Sequence, residues 1–177
     1  MLVVFSVFAF VVVALFGAKF VCKITHPLKY YSIVAEASQR YGVEKELIYA
    51  IIKCESDFDE SAKSQADACG LMQITPETFE WLSLYAKNLP KDNIDFHDPS
   101  TNIMYGTLFL SMLQDKYQNE KAVISAYNAG PTAVDRWLGD EKLSKDGKTL
   151  DYIPYKETRH YAAKVKLTKA IYKILYF

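Results

Sequence analysis

The chain has 177 residues, half of them apolar and 24% charged, enough for one domain with a substantial core and too ordered in composition for wholesale disorder. Basic and acidic residues balance at 21 each, so no electrostatic footprint for nucleic acid is present. Fourteen per cent of the residues are aromatic, with 13 tyrosines, which suits tyrosine-rich binding surfaces and tyrosine-rich cores equally.

Residues 1–18 carry no charge and are built almost entirely from Val, Phe, Leu and Ala, which reaches the lower length limit for a membrane span. The alternative is a cleaved signal peptide, which needs small residues at alternate positions before the cut. Phe16 stands where one of them should be, and an uncleaved anchor over 1–22 is the expectation. Lys19, Lys23 and Lys29 all follow the apolar run, a distribution that would leave the remainder of the chain in the cytoplasm. Residues 23–29, with Thr25-His26-Pro27, read as a linker, and 30–177 as the folded domain.

Helical signals dominate that domain. Tyr30 to Tyr41 ends at Gly42, a C-terminal cap. Glu44 to Cys54 carries Leu47, Ile48, Ile51 and Ile52 at helical spacing. Thr75-Pro76 and Asp98-Pro99 each pair a capping residue with a first-turn proline, opening helices to about Lys87 and Tyr117. Glu120 to Tyr127 closes at Asn128-Ala129-Gly130-Pro131, and a short helix covers Thr132 to Leu138. Gly139 to Asp151 reads as a charged loop. A last helix runs from Tyr155 to Tyr176, with Tyr161, Val165, Thr168, Tyr172 and Leu175 on one side. The fold class is therefore mainly α, with at most a small hairpin between Asp57 and Ala68.

The chemistry centres on Lys53 to Gln73. Glu55 sits at the C-terminal end of an apolar helix, where the dipole disfavours negative charge and favours the protonated form a general acid needs. On position alone an ordinary exposed glutamate is the favoured reading. Asp57, Asp59 and Glu60 lie nearby, but none is spaced as the second member of a two-carboxylate glycosidase pair. Gly70 permits close backbone approach in the turn Gly70-Leu71-Met72-Gln73, and Gln73 offers both donor and acceptor. Tyr127 places a phenol beside Asn128 in a helix's final turn. His26, His97 and His160 stand far apart, no Cys or His pair has zinc spacing, and neither a phosphate loop nor a G-x-S-x-G elbow occurs.

Four blocks occur in order: Glu55-Ser56 after an apolar helix, Gly70-Leu71-Met72-Gln73, Ala126-Tyr127-Asn128-Ala129-Gly130, and Ile153-Pro154-Tyr155-Lys156-Glu157-Thr158-Arg159-His160-Tyr161. Together they resemble the soluble-type lytic transglycosylases (SLT domain), over roughly Tyr30 to Leu175. The resemblance implies a lysozyme-like α-helical (α+β) fold of the goose type. It also implies non-hydrolytic cleavage of the MurNAc–GlcNAc bond of peptidoglycan, giving 1,6-anhydroMurNAc ends, with Glu55 as acid and then base. Ser64, Met72, Gln73, Tyr127, Asn128 and Glu157 match substrate-binding positions. No cofactor and no metal are implied, and the partners expected are glycan strands and, through the N-terminal helix, the membrane, with the domain monomeric. That substrate lies outside the cell, so the expected location is the cell membrane, single-pass, with the domain on the wall side, against the lysine distribution. Cys54 and Cys69 depart from the commoner family pattern, as does Tyr155 in place of a frequent Phe. The two cysteines form either a disulfide in an exported domain or two buried thiols. A hydrolytic goose-lysozyme-like muramidase and a silent glycan-binding module are the alternatives on the same fold.

Overall fold

The computed structural model describes residues 17, 19–87, 89 and 94–177. Most of the expected anchor therefore lies outside the described residues. Among those described, no helix is long and apolar enough to cross a membrane.

Among its described residues the domain has seven helices: α1 Tyr31–Tyr41, α2 Lys45–Glu55, α3 Pro76–Ser83, α4 Pro99–Lys116, α5 Glu120–Ala129, α6 Pro131–Leu138 and α7 Lys156–Tyr176. Their ends follow from capping chemistry. Gly42 takes φ 70°, and its amide donates to Ser38 O, which closes α1 in the left-handed conformation that glycine tolerates. The side chains of Thr75 and Asp98 accept the amides of Thr78 and Thr101, each ahead of a first-turn proline. Asn119 caps α5 in the same way through the Ala122 amide. Helix α3 stops at Ser83, short of the expected Lys87.

Helices α2 and α4 are the centre of the core. The sequence suggests one apolar stripe on α2, yet Tyr49 and Ala50 are buried together with Leu47, Ile48, Ile51 and Ile52. The helix is enclosed on all sides because α7 lies along it and α1 also packs against it. In α4 even the polar Asn102 and Thr107 are buried. Helix α7 packs on α2 and α5, while α1 and α3 pack on α4. Lys169 of α7 forms ion pairs with Glu44, the residue before α2, and with Glu120 in the first turn of α5, so one partly buried ammonium fastens three helices together.

The expected hairpin between Asp57 and Ala68 is not a ladder. Among the described residues it reduces to two isolated bridges, Lys63 with Cys69 and Cys69 with Ile74. The reason lies in the backbone: Asp57, Phe58, Asp67, Gly70 and Gln73 all have positive φ, and such residues turn a chain rather than extend it. The segment also departs from a linker at 23–29. Residues 19–25 are helical, and the hydroxyls of Tyr176 and Tyr172 donate to the carbonyls of His26 and Pro27 at 2.8 and 3.2 Å.

Candidate active site

Glu55 is the last residue of α2. The next residue anchors the loop that follows: Ser56 Oγ donates to Leu71 O at 2.9 Å and lies 3.2 Å from Ile52 O. The helix end and the glycine turn are thereby held against each other. Glu55 is only partly buried, and Tyr161 Oη donates to its Oε1 at 2.5 Å. Burial pushes the Glu55 carboxyl up to about 7, against the Tyr161 hydrogen bond and the Lys164 charge, both of which favour the carboxylate. A carboxyl poised there can hold a proton at neutral pH and release it on demand. The Tyr161 and Tyr127 hydroxyls are held well above their ordinary value by burial and then by the Glu55 charge, so both stay donors.

The turn at 70–73 owes its shape to a residue thirty positions further on. Asn102 Oδ1 accepts the Met72 amide at 2.7 Å, and its Nδ2 donates to Cys69 O and Phe96 O at 2.9 Å each. The Met72 amide and Phe96 O thus find a partner in a side chain, and Cys69 O, which already accepts the Ile74 amide, gains a second donor. The same turn then receives α5, where Tyr127 Oη donates to Met72 O at 2.8 Å. A Cβ on Gly70 would stand 2.4 Å from Asn102 Nδ2 and 2.7 Å from Phe96 O, so glycine is required there by both space and its φ of 73°. Asn102 escapes sequence reasoning; its one signal is an amide side chain inside an otherwise apolar helix.

A cleft of about 470 Å³ opens beside Glu55. Ser64, Gln73, Thr78, Phe109, Tyr127 and Asn128 are among its lining residues, and among the described residues that line it Glu55 is the sole acid. Gln73 is oriented by Nε2 donating to Ala62 O at 3.1 Å and Gly70 O at 2.9 Å. Asn128 Oδ1 accepts from Thr158 Oγ1 at 2.7 Å. Ser64 Oγ accepts the amides of Ala66 and Ala68. Two of the candidate residues stand elsewhere. Met72 is fully buried, with its side chain against Gly106, and it contributes to the site through its backbone. Glu157 is exposed in the first turn of α7 and is not among the residues lining this cleft.

Cys54 and Cys69 are free thiols. Cys54 Sγ faces Thr168 Oγ1 of α7 at 3.8 Å, and Cys69 Sγ faces Asp67 O at 3.2 Å, so the helix turns the first away from the loop that holds the second. Among the described residues, no group of three His, Cys, Asp or Glu side chains is placed to hold a metal ion.

A single carboxyl raised by burial, met by a phenol and lining a cleft in a helical domain, is an arrangement suited to acid–base chemistry. The model of the family described as "Transglycosylase SLT domain" matches residues 32–150, and the chain belongs to that family. Among curated relatives, the membrane-bound lytic murein transglycosylase C of Haemophilus ducreyi is 32% identical over 81% of this chain and 45% of its own length. The protein of the same name from Serratia proteamaculans is 36% identical over 82% of this chain and 47% of its own. The crystal structure of the 70 kDa soluble lytic transglycosylase Slt70 from Escherichia coli is similar at a TM-score of 0.75 and 28% identity, over 86% of this chain and 25% of that one. The chain thus spans about half the length of the curated relatives it matches. Helix α7, which supplies Tyr161, lies beyond the span matched by the family model.

Proposed function

We propose that the chain is a peptidoglycan lytic transglycosylase that cleaves the β-1,4 bond between MurNAc and GlcNAc without water. The observation that carries this reading is the solitary Glu55, its carboxyl pushed up to about 7 in a cleft with no second acid among its lining residues. Glu55 gives its proton to the glycosidic oxygen as the bond to C1 of MurNAc breaks. The acetamido oxygen of the same sugar bonds to C1 and takes up the developing positive charge, the substrate-assisted exception to two-carboxylate chemistry. The Glu55 carboxylate then removes the proton of the C6 hydroxyl, whose oxygen bonds to C1 and displaces the acetamido oxygen. The result is a 1,6-anhydroMurNAc end, with Glu55 again protonated. In this reading Ser64, Gln73, Tyr127 and Asn128 contact the glycan, and Met72 shapes the turn through its carbonyl.

Residues 1–22 act as a membrane anchor and 30–177 as the catalytic domain, on the wall side of a single-pass protein. The names of the relatives, membrane-bound lytic murein transglycosylases, support the membrane association. The test is mass spectrometry of wall fragments digested in heavy-oxygen water. Anhydro ends, lighter than hydrolysed ends by one water (about 18 Da, the mass of the nucleophile that a two-carboxylate enzyme adds) and free of label, are expected. Labelled reducing ends as the main product would make the protein a muramidase, and no cleavage a glycan-binding module.

A further inference from the structure

Helix α7 uses only one side in the core. Val165, Thr168 and Tyr172 are buried there, and Tyr161 on the same side reaches Glu55. Along the other side run Ala163, Leu167, Ala170 and Ile174, spaced four, three and four residues apart, the repeat that holds side chains on one line of a helix. All four are exposed, Leu167 at 64% and Ile174 at 80%. The exposed charges that α7 itself carries beside this line are Lys156, Lys166 and Lys173, and the acids that approach from neighbouring elements, Glu44 and Glu120, are both ion-paired with Lys169. The helix's one acid, Glu157, stands about 120° round the axis from the line. Solvent-facing helix surfaces are ordinarily polar, and a second copy packed here would set lysine against lysine. An apolar line flanked on its own helix by lysines, with the nearby acids already paired, fits an anionic lipid surface.

The start of the domain leads to the same place. Residues 19–25 are helical, with Phe20, Val21 and Ile24 exposed, and follow directly on the uncharged run 1–18. Lys23 Nζ stands 5.5 Å from the centre of the Tyr176 ring, and the His26 ring meets that of Tyr172 edge-on at 5.4 Å. The chain leaving the apolar run is thus fastened to the last turns of α7.

We propose that the exposed face of α7 lies on the bilayer that holds the N-terminal segment, bound through its apolar line and by its lysines to anionic headgroups. The proposal rests on the anchor reading above. It also fixes the direction of the site. Tyr161 precedes Ala163 by two residues, which places it about 160° round the helix, so the Glu55 cleft faces away from lipid.

The experiment uses the full chain in vesicles of phosphatidylcholine and phosphatidylglycerol, with a photoreactive amino acid at position 167 or, as a control, at 84, where the leucine is 74% exposed. Illumination is expected to give lipid adducts at 167 several-fold above those at 84. Substituting K166E and K173E together should lower them several-fold. A chain that floats with the vesicles yet gives no excess at 167, or gives chiefly chain-to-chain adducts, overturns the docking and leaves the anchor standing. Adducts unaffected by the double substitution overturn the role of the lysines. A chain that does not float overturns the anchor and the docking together, and neither result touches the wall-product test.

Discussion

The hydroxyl of Tyr161 reaches across from α7 and donates a 2.5 Å hydrogen bond to Oε1 of Glu55. It favours the carboxylate, against the burial that favours the acid, so this pair sets where the proton comes off. Replacing Tyr161 with Phe removes the bond and keeps the ring. The Glu55 carboxyl then rises above about 7. A hydrogen bond to a charged group is worth about 1.5–3 kcal/mol, equivalent to roughly one to two pH units. The alkaline limb of kcat/KM for wall cleavage is expected to move upward by about that amount. An unmoved limb would remove Tyr161 from the control of Glu55.

Glu55→Gln keeps shape and most hydrogen bonding but carries no transferable proton. Turnover should fall by about a thousand-fold, within the range typical of a lost general acid, while glycan binding, measured by wall sedimentation, persists.

The same substitution has a consequence for stability. The folded carboxyl titrates at about 7 against an ordinary value of 4.5. Below 4.5 the wild type bears no penalty relative to its unfolded chain; as pH rises to about 7 the folded state must hold a proton or bury a charge, and stability is lost. The full gap is about 3 kcal/mol. The Gln variant has no such dependence. Its thermal midpoint should exceed that of the wild type at pH 8, with the advantage shrinking several-fold by pH 5.

Asn102→Ala strips the glycine turn of its support. It leaves the Met72 amide and Phe96 O without their side-chain partner, while Cys69 O keeps the Ile74 amide, and each group so orphaned costs about 1–3 kcal/mol. A loss of roughly 3 kcal/mol or more in denaturant titration is expected, together with lower activity, because Met72 O also holds Tyr127. Gly70→Ala should be at least as severe, since its Cβ meets backbone at Phe96 O and its φ is positive.

Local chemistry made most of the helical frame readable in the sequence. Gly42, Thr75-Pro76 and Asp98-Pro99 act at their own positions, and the expected boundaries there fall within a residue of those observed. Glu55 stood out through its place at the end of an apolar helix and through the company of the other blocks. The loop from Asp57 to Gln73 was not readable in this way. Its form depends on Asn102 and Ser56 reaching across the fold, and on a series of left-handed residues, most of which are not glycine. Tyr161 and Tyr127 were visible as tyrosines; that one meets Glu55 and the other a main-chain carbonyl is a matter of how α5 and α7 pack. Met72, whose side chain lies in the core, shows the limit of reading roles from motif position: the motif marks the turn, while the backbone does the work there.

The free thiols of Cys54 and Cys69 bear on the compartment in which the domain matures. Cys54 occupies the position next to the acid, faces a threonine, and is held protonated above its ordinary value by burial. No covalent link ties the glycine turn to α2; Ser56 and Asn102 hold it through hydrogen bonds alone. The site can therefore assemble without an oxidant, and its shape is indifferent to the thiol–disulfide potential on either side of a membrane.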